Sequence, residues 1–153
     1  MQVEEPGIIF INSLLKLRET IEPDCIVVLD DQTSALNNAE ECQIIKDFYI
    51  VHSHHTPCSL IGIWQTAFHK QMREINLNSQ LLVMLDFPRD KTIIFNIARQ
   101  CCPSQVKFLQ SAYNHAVEKD WGHIVLDFHP KHKRMAFARS SLFPTQDCLV
   151  YLH

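Results

Sequence analysis

Residues 25–31, Cys-Ile-Val-Val-Leu-Asp-Asp, constrain the fold more than any other stretch: an apolar, largely β-branched run ends abruptly in two carboxylates. Such a run reads as a strand buried on both faces, as in the middle of a parallel sheet. Adjacent acids are costly to bury, so Asp30 and Asp31 belong at the carboxyl edge of that sheet, where open α/β folds place ligands and a cation can neutralise them. A competing reading is a strand followed by an Asp-rich turn and a helix cap, because Asp31-Gln32-Thr33-Ser34 also offers capping side chains.

The remaining chain repeats the alternation of strand and helix. Gly7 to Ile11 looks like a short strand, and Asn12 or Ser13 caps a helix through Leu14, Leu15, Leu17 and Arg18. A helix from Asn37 or Asn38 carries Glu40 and Glu41 in its first turn and a stripe of Cys42, Ile44, Ile45, Phe48 and Tyr49. After the polar loop at 52–57, Cys58 to Trp64 reads as a buried strand ending in Gln65, and Ala67 to Arg73 as a short helix. Gln80 to Leu85 is a third core strand, followed by Asp86 and by Phe87-Pro88-Arg89-Asp90-Lys91. Ile93, Ile94, Ile97 and Ala98 mark a helix that stops near Cys102-Pro103, and Val106, Leu109, Tyr113 and Val117 mark the next. Asp120-Trp121-Gly122 ends it. His123 to Phe128 is a fourth strand, with Met135 to Arg139 as its antiparallel partner across the basic turn Lys131 to Arg134.

At 153 residues the chain has the size of one domain, and 46% apolar with 20% charged residues is an ordinary globular composition. No apolar run reaches the roughly 20 residues that span a membrane. The six cysteines lack CxxC spacing, which points to reduced thiols in the cytoplasm or nucleus rather than a disulfide scaffold. A formal charge of −3 provides no global basic signature for nucleic acid.

Three strands in succession end in polar groups: Asp30-Asp31, Gln65 and the Asp86 to Asp90 stretch. Together they build one polar rim. In nucleotide hydrolases, paired acids after a buried strand form the Walker B element, the first holding Mg²⁺ and the second orienting or deprotonating water. A polar side chain ending the neighbouring strand senses the γ-phosphate there, and Gln65 is placed to do so; a helix cap or a buried amide bonded to backbone is the competing reading. Arg89 and Arg99 are candidates for stabilising charge on a transferring phosphoryl group across a subunit interface. His52, His54, His55 and Cys58, with His129 and His132, suggest zinc, although no pair has zinc-finger spacing.

The order of motifs is similar to that in a known family. Cys25 to Asp31, Ser53-His54-His55, Ser59 to Phe68 with Gln65, Ile75 to Asn78, Phe87-Pro88-Arg89-Asp90, Ile97-Ala98-Arg99-Gln100 and Gly122 to Asp127 resemble the C-terminal half of FtsK–HerA-type genome-packaging ATPases. These are the motors of Polinton/Maverick elements, adintoviruses and related large DNA viruses. The resemblance spans roughly residues 7 to 144. It implies an α/β fold with a mainly parallel sheet, a P-loop NTPase core of the RecA/FtsK type truncated at its N-terminus and ending in a β-hairpin. Residues 1–153 would then be a single partial ATPase domain lacking the Walker A strand, loop and helix.

The resemblance also implies roles. Asp30 would ligate Mg²⁺ brought by ATP, Asp31 would polarise water, Gln65 would sense the γ-phosphate and Arg89 would act as a trans-acting finger. The complete protein would form a homo-oligomeric ring that drives double-stranded DNA into a capsid, inside the host cell or attached to the virion, with no membrane contact. The sequence contains no GxxxxGK[ST], and its three glycines build no phosphate loop. The expectation is therefore either a truncated ATPase or a decayed, captured copy serving as a non-enzymatic interaction module. In either case strands 25–29, 59–64 and 80–85 should lie parallel in one sheet, because a helical crossover separates each from the next, and apolar surface should be left uncovered beside the central strand.

Overall fold

A computed structural model describes residues 7–52, 57–66, 69–131, 137–143 and 147–152. The protein is mixed α/β, and it divides into two compact units, Met1–Asn78 and Ser79–His153.

In the first unit, Leu14 and Leu17 of α1 (Leu14–Thr20) are buried on one helical face. β1 (Cys25–Asp30) follows, then a 3₁₀ turn at Ser34–Asn37 that buries Ala35 and Leu36. The side-chain oxygen of Asn38 accepts the amides of Glu40 and Glu41 at 2.9 and 3.2 Å, which satisfies otherwise unpaired donors and starts α2 (Ala39–Asp47). The expected stripe is the buried one: Cys42, Ile44, Ile45, Phe48 and Tyr49 all face the core, the last two from a π turn at Phe48–His52. β2 (Cys58–Ile63) pairs with β1 in parallel, and α3 (Met72–Asn78) adds Met72 and Ile75 to the same core. Among the described residues of this unit, Arg18 pairs with Asp47 and the largely buried Lys46 with Glu74.

Three expectations need correction here. Residues 7–11 form no strand: Ile8, Ile9 and Phe10 are exposed, and no described strand supplies the hydrogen-bond partners that an extended segment requires. The short helix lies at Met72–Asn78 rather than from 67 to 73, residues 67 and 68 being outside the described set. β1 is buried on one face only, Val27 and Leu29 being 7% and 4% exposed while Ile26 and Val28 are 67% and 55% exposed.

In the second unit, β3 (Leu81–Leu85) leads through α4 (Thr92–Cys101), a 3₁₀ turn at Pro103–Gln105 and α5 (Val106–Ala116) to β4 (His123–Asp127). The expectation of three parallel strands fails at β3. It pairs antiparallel with β4, from Leu85 opposite His123 to Leu81 opposite Asp127, in a sheet separate from β1 and β2. Two helices connect β3 to β4, so the chain returns to the edge that it left and the two strands pair antiparallel. β5 (Ala138–Arg139) continues the antiparallel sheet beside β4, within the expected partner segment Met135 to Arg139, of which residues 135 and 136, like most of the turn before it, lie outside the described set. The final segment joins it through Ser140 N–H to Leu149 O and Tyr151 N–H to Ala138 O, each 2.9 Å.

Ile93, Ile94, Ile97 and Ala98 of α4, Leu109, Ala112, Tyr113 and Ala116 of α5, and Ile124, Val125 and Leu126 of β4 are buried. The Tyr113 hydroxyl donates to Leu85 O at 3.0 Å and accepts the Phe87 amide at 3.2 Å, so α5 holds the chain as it leaves β3. Among the described residues, no helix is long and apolar enough to cross a membrane.

At the end of β4, the Asp127 carboxylate is 2% exposed, accepts from Arg139 Nη1 at 2.7 Å and also accepts the His129 amide at 3.0 Å. Removing one partner of a buried pair strands the other charge, which costs about 3–5 kcal/mol, whereas an exposed pair contributes at most about 1 kcal/mol. Urea unfolding should show Asp127→Ala losing several times more stability than Arg18→Ala.

Candidate functional site

The ladder between β1 and β2 runs from Cys25 opposite Cys58 to Asp30 opposite Ile63. Since the strands are parallel, both leave the sheet at the same edge. The Asp31 amide adds one more bond, to Ile63 O at 3.2 Å, and Gln65 follows β2 by two residues. The structure thus brings Asp30, Asp31 and Gln65 to one carboxyl edge, all three exposed.

Asp31 has φ 48°, in the left-handed region that Asp tolerates better than most residues. The chain turns sharply there, and Gln32 Nε2 donates to Asp30 O at 2.8 Å across the turn. Among the described residues, neither Asp30 nor Asp31 has a cationic partner. Two neighbouring carboxylates without a counter-charge are suited to a hard divalent cation that binds oxygen. No cluster of three or more His, Cys, Asp or Glu able to hold a metal occurs among the described residues. Of the residues considered for zinc, His54, His55 and His132 lie outside the described set, as does most of the basic turn.

The end of β2 is held by a contact that sequence patterns did not disclose. A Cβ at Gly62 would collide with the Tyr49 hydroxyl and with the indole Nε1 of Trp64. The missing side chain lets those two groups meet over the strand, where they hydrogen bond. Burial pushes the Tyr49 hydroxyl above its ordinary pKa, and the bond from Trp64 opposes that shift. Trp64 precedes Gln65, so α2's extension clamps the backbone that presents the glutamine. A lone glycine in a strand, two residues before a tryptophan, was the available signal, since strand glycines mark close approaches.

The other candidate residues lie in the second unit. Asp86 pairs with Lys91 at 2.9 Å, and this hydrogen-bonded carboxylate raises the lysine pKa. Asp90 accepts both the hydroxyl and the amide of Thr92, at 2.6 and 2.9 Å, and these bonds, the hydroxyl's first, hold its carboxyl below the usual range. Asp90 thus starts α4. Arg89 is exposed in the turn before that helix, with no carboxylate partner among the described residues, while the Arg99 guanidinium lies 5.6 Å from the centre of the Phe95 ring.

Comparison with known proteins adds no relative: no family model matches the sequence, and no curated protein or solved structure matches it significantly.

Gly62→Ala should cost roughly 1–3 kcal/mol, the usual effect of overpacking a close contact. Thermal unfolding and the emission of Trp64 should both change, whereas Ser59→Ala on the exposed face of the same strand should leave them near wild type.

Proposed function

We propose that this chain is the Walker B and sensor portion of an ATPase that packages double-stranded DNA, of the FtsK–HerA type. The observation that carries the reading is the parallel register of β1 and β2, which puts Asp30, Asp31 and Gln65 on one edge. Asp30 holds the nucleotide's Mg²⁺, Asp31 orients and polarises the attacking water, and Gln65 contacts the γ-phosphate. A Mg²⁺ held there would supply charge neutralisation for the phosphates of the nucleotide. Arg89, exposed and unpaired among the described residues, is the candidate finger toward a neighbouring subunit of a ring. On this reading the parallel pair β1–β2 belongs to a larger, mainly parallel P-loop sheet. The backbone cradle for the phosphates is not encoded in these residues, whose glycines stand at 7, 62 and 122.

A second reading, an interaction module without hydrolysis, is favoured by one specific observation. Ile26, Val28, Ile61 and Ile63 lie on the same face of the β1–β2 pair and are 48–67% exposed. An apolar face of this kind on a parallel pair is a surface that calls for a cover.

Titration with ATP and Mg²⁺, followed by amide chemical shifts, separates the two readings. The first predicts Mg²⁺-dependent shifts at Asp30, Asp31 and Gln65 that vanish in Asp30→Asn; shifts absent from all three favour the second. In any form of the protein that turns over ATP, Asp31→Asn should lower kcat by about 10²–10⁴-fold, the usual contribution of a group that activates water, while nucleotide affinity changes little. Unchanged turnover in that variant would remove Asp31 from the mechanism.

A further inference from the structure

We propose that Cys25 and Cys58 form a reversible dithiol–disulfide site, oxidised by low-molecular-weight disulfides and reset by low-molecular-weight thiols. The two residues are the first rung of the β1–β2 ladder. Directly paired residues of adjacent strands sit about 4.8 Å apart, which is inside the Cα separation of roughly 4.4–6.8 Å that a disulfide accepts. Rung partners project to the same side of a sheet, and both thiols are free and half-buried, Cys25 packing against the core of the first unit. Just before the rung, the Asp24 amide donates to Pro57 O at 2.6 Å and holds the two chains together. Burial, and then the charge of the neighbouring Cys25, push the Cys58 pKa up.

The remaining cysteines lack this arrangement. Cys42 is buried in the core of the first unit, and burial pushes the Cys101 thiol up to about 11, leaving it little thiolate at neutral pH. The site lies at the amino edge of the pair, whereas Asp30 and Gln65 lie at the carboxyl edge, so it does not rest on the ATPase reading.

The chemistry balances without any further reagent. The thiolate of one cysteine attacks the small disulfide, a mixed disulfide forms, and one small thiolate leaves. The second cysteine gives its proton to solvent and attacks the protein sulfur of that mixed disulfide, expelling the second small thiolate. Two protein thiols are thus oxidised by two electrons and the small disulfide is reduced to two thiols. Excess small thiol runs the sequence backwards. The product ties the amino ends of β1 and β2 together and restricts the unfolded chain more than the folded one.

The test uses the full chain and glutathione disulfide, with alkylation of remaining thiols and peptide mapping. The expected result is a peptide linking Cys25 to Cys58, a higher Tm, and reversal of both by dithiothreitol. Cys58→Ser should instead retain glutathione on Cys25. Separate glutathione adducts on Cys25 and Cys58, free alkylation of both, or links from either to another cysteine would overturn the proposal. Should Cys58→Ser fail to fold, phenylarsine oxide on the wild-type chain provides an independent readout. One arsenic bridging Cys25 and Cys58, and lost after oxidation, supports the proposal; arsenic bound only at Cys101 and Cys102 overturns it.

Discussion

Parallel pairing of two short strands is the constraint on which the first unit depends. Six rungs, from Cys25 with Cys58 to Asp30 with Ile63, set which residues share an edge and which share a face. A slip of one residue would exchange the buried Val27 and Leu29 for Ile26 and Val28 and turn Asp30 toward the core, where an unpaired carboxylate is heavily penalised. The register is therefore held from both ends: by apolar burial along one face and by the need to keep Asp30 and Asp31 in water.

Packing around that pair explains how a polar edge is kept in place. α2 and its π turn bury Ile45 and Phe48 and deliver Tyr49 to Trp64 across Gly62. The absence of one side chain at position 62 thus couples the buried helix to the residue before Gln65. On the far face, Ile26, Val28, Ile61 and Ile63 remain uncovered, and the same sheet that presents carboxylates at its edge presents an apolar surface beside them.

The second unit solves a different problem with similar ingredients. β4 is almost wholly buried and carries Asp127, whose charge is balanced by Arg139 from the neighbouring strand. Carboxylates near the strand ends have different fates: Asp127 is paired with Arg139, Asp90 is bonded to the start of α4 and Asp86 to Lys91, whereas Asp30 and Asp31 have no cation among the described residues.

Local chemistry was legible in the linear order of residues. Asn38 followed by two glutamates names a helix start, the spacing of Ile93, Ile94 and Ile97 names a buried helical face, and Val27 to Asp31 names a strand that stops at an edge. These follow from short-range periodicity and capping, which need no knowledge of partners. Strand direction is different, because Leu81 to Leu85 reads the same in a parallel and in an antiparallel neighbourhood. Its pairing with β4 was decided by two intervening helices and by the burial of Ile124 to Leu126. The exposure of Ile26 and Val28, the meeting of Tyr49 with Trp64, the Cys25–Cys58 rung and the Asp127–Arg139 pair likewise join residues distant in sequence. Hydrophobic and hydrogen-bonding capacity belong to each residue, but only tertiary packing decides which partner takes it up.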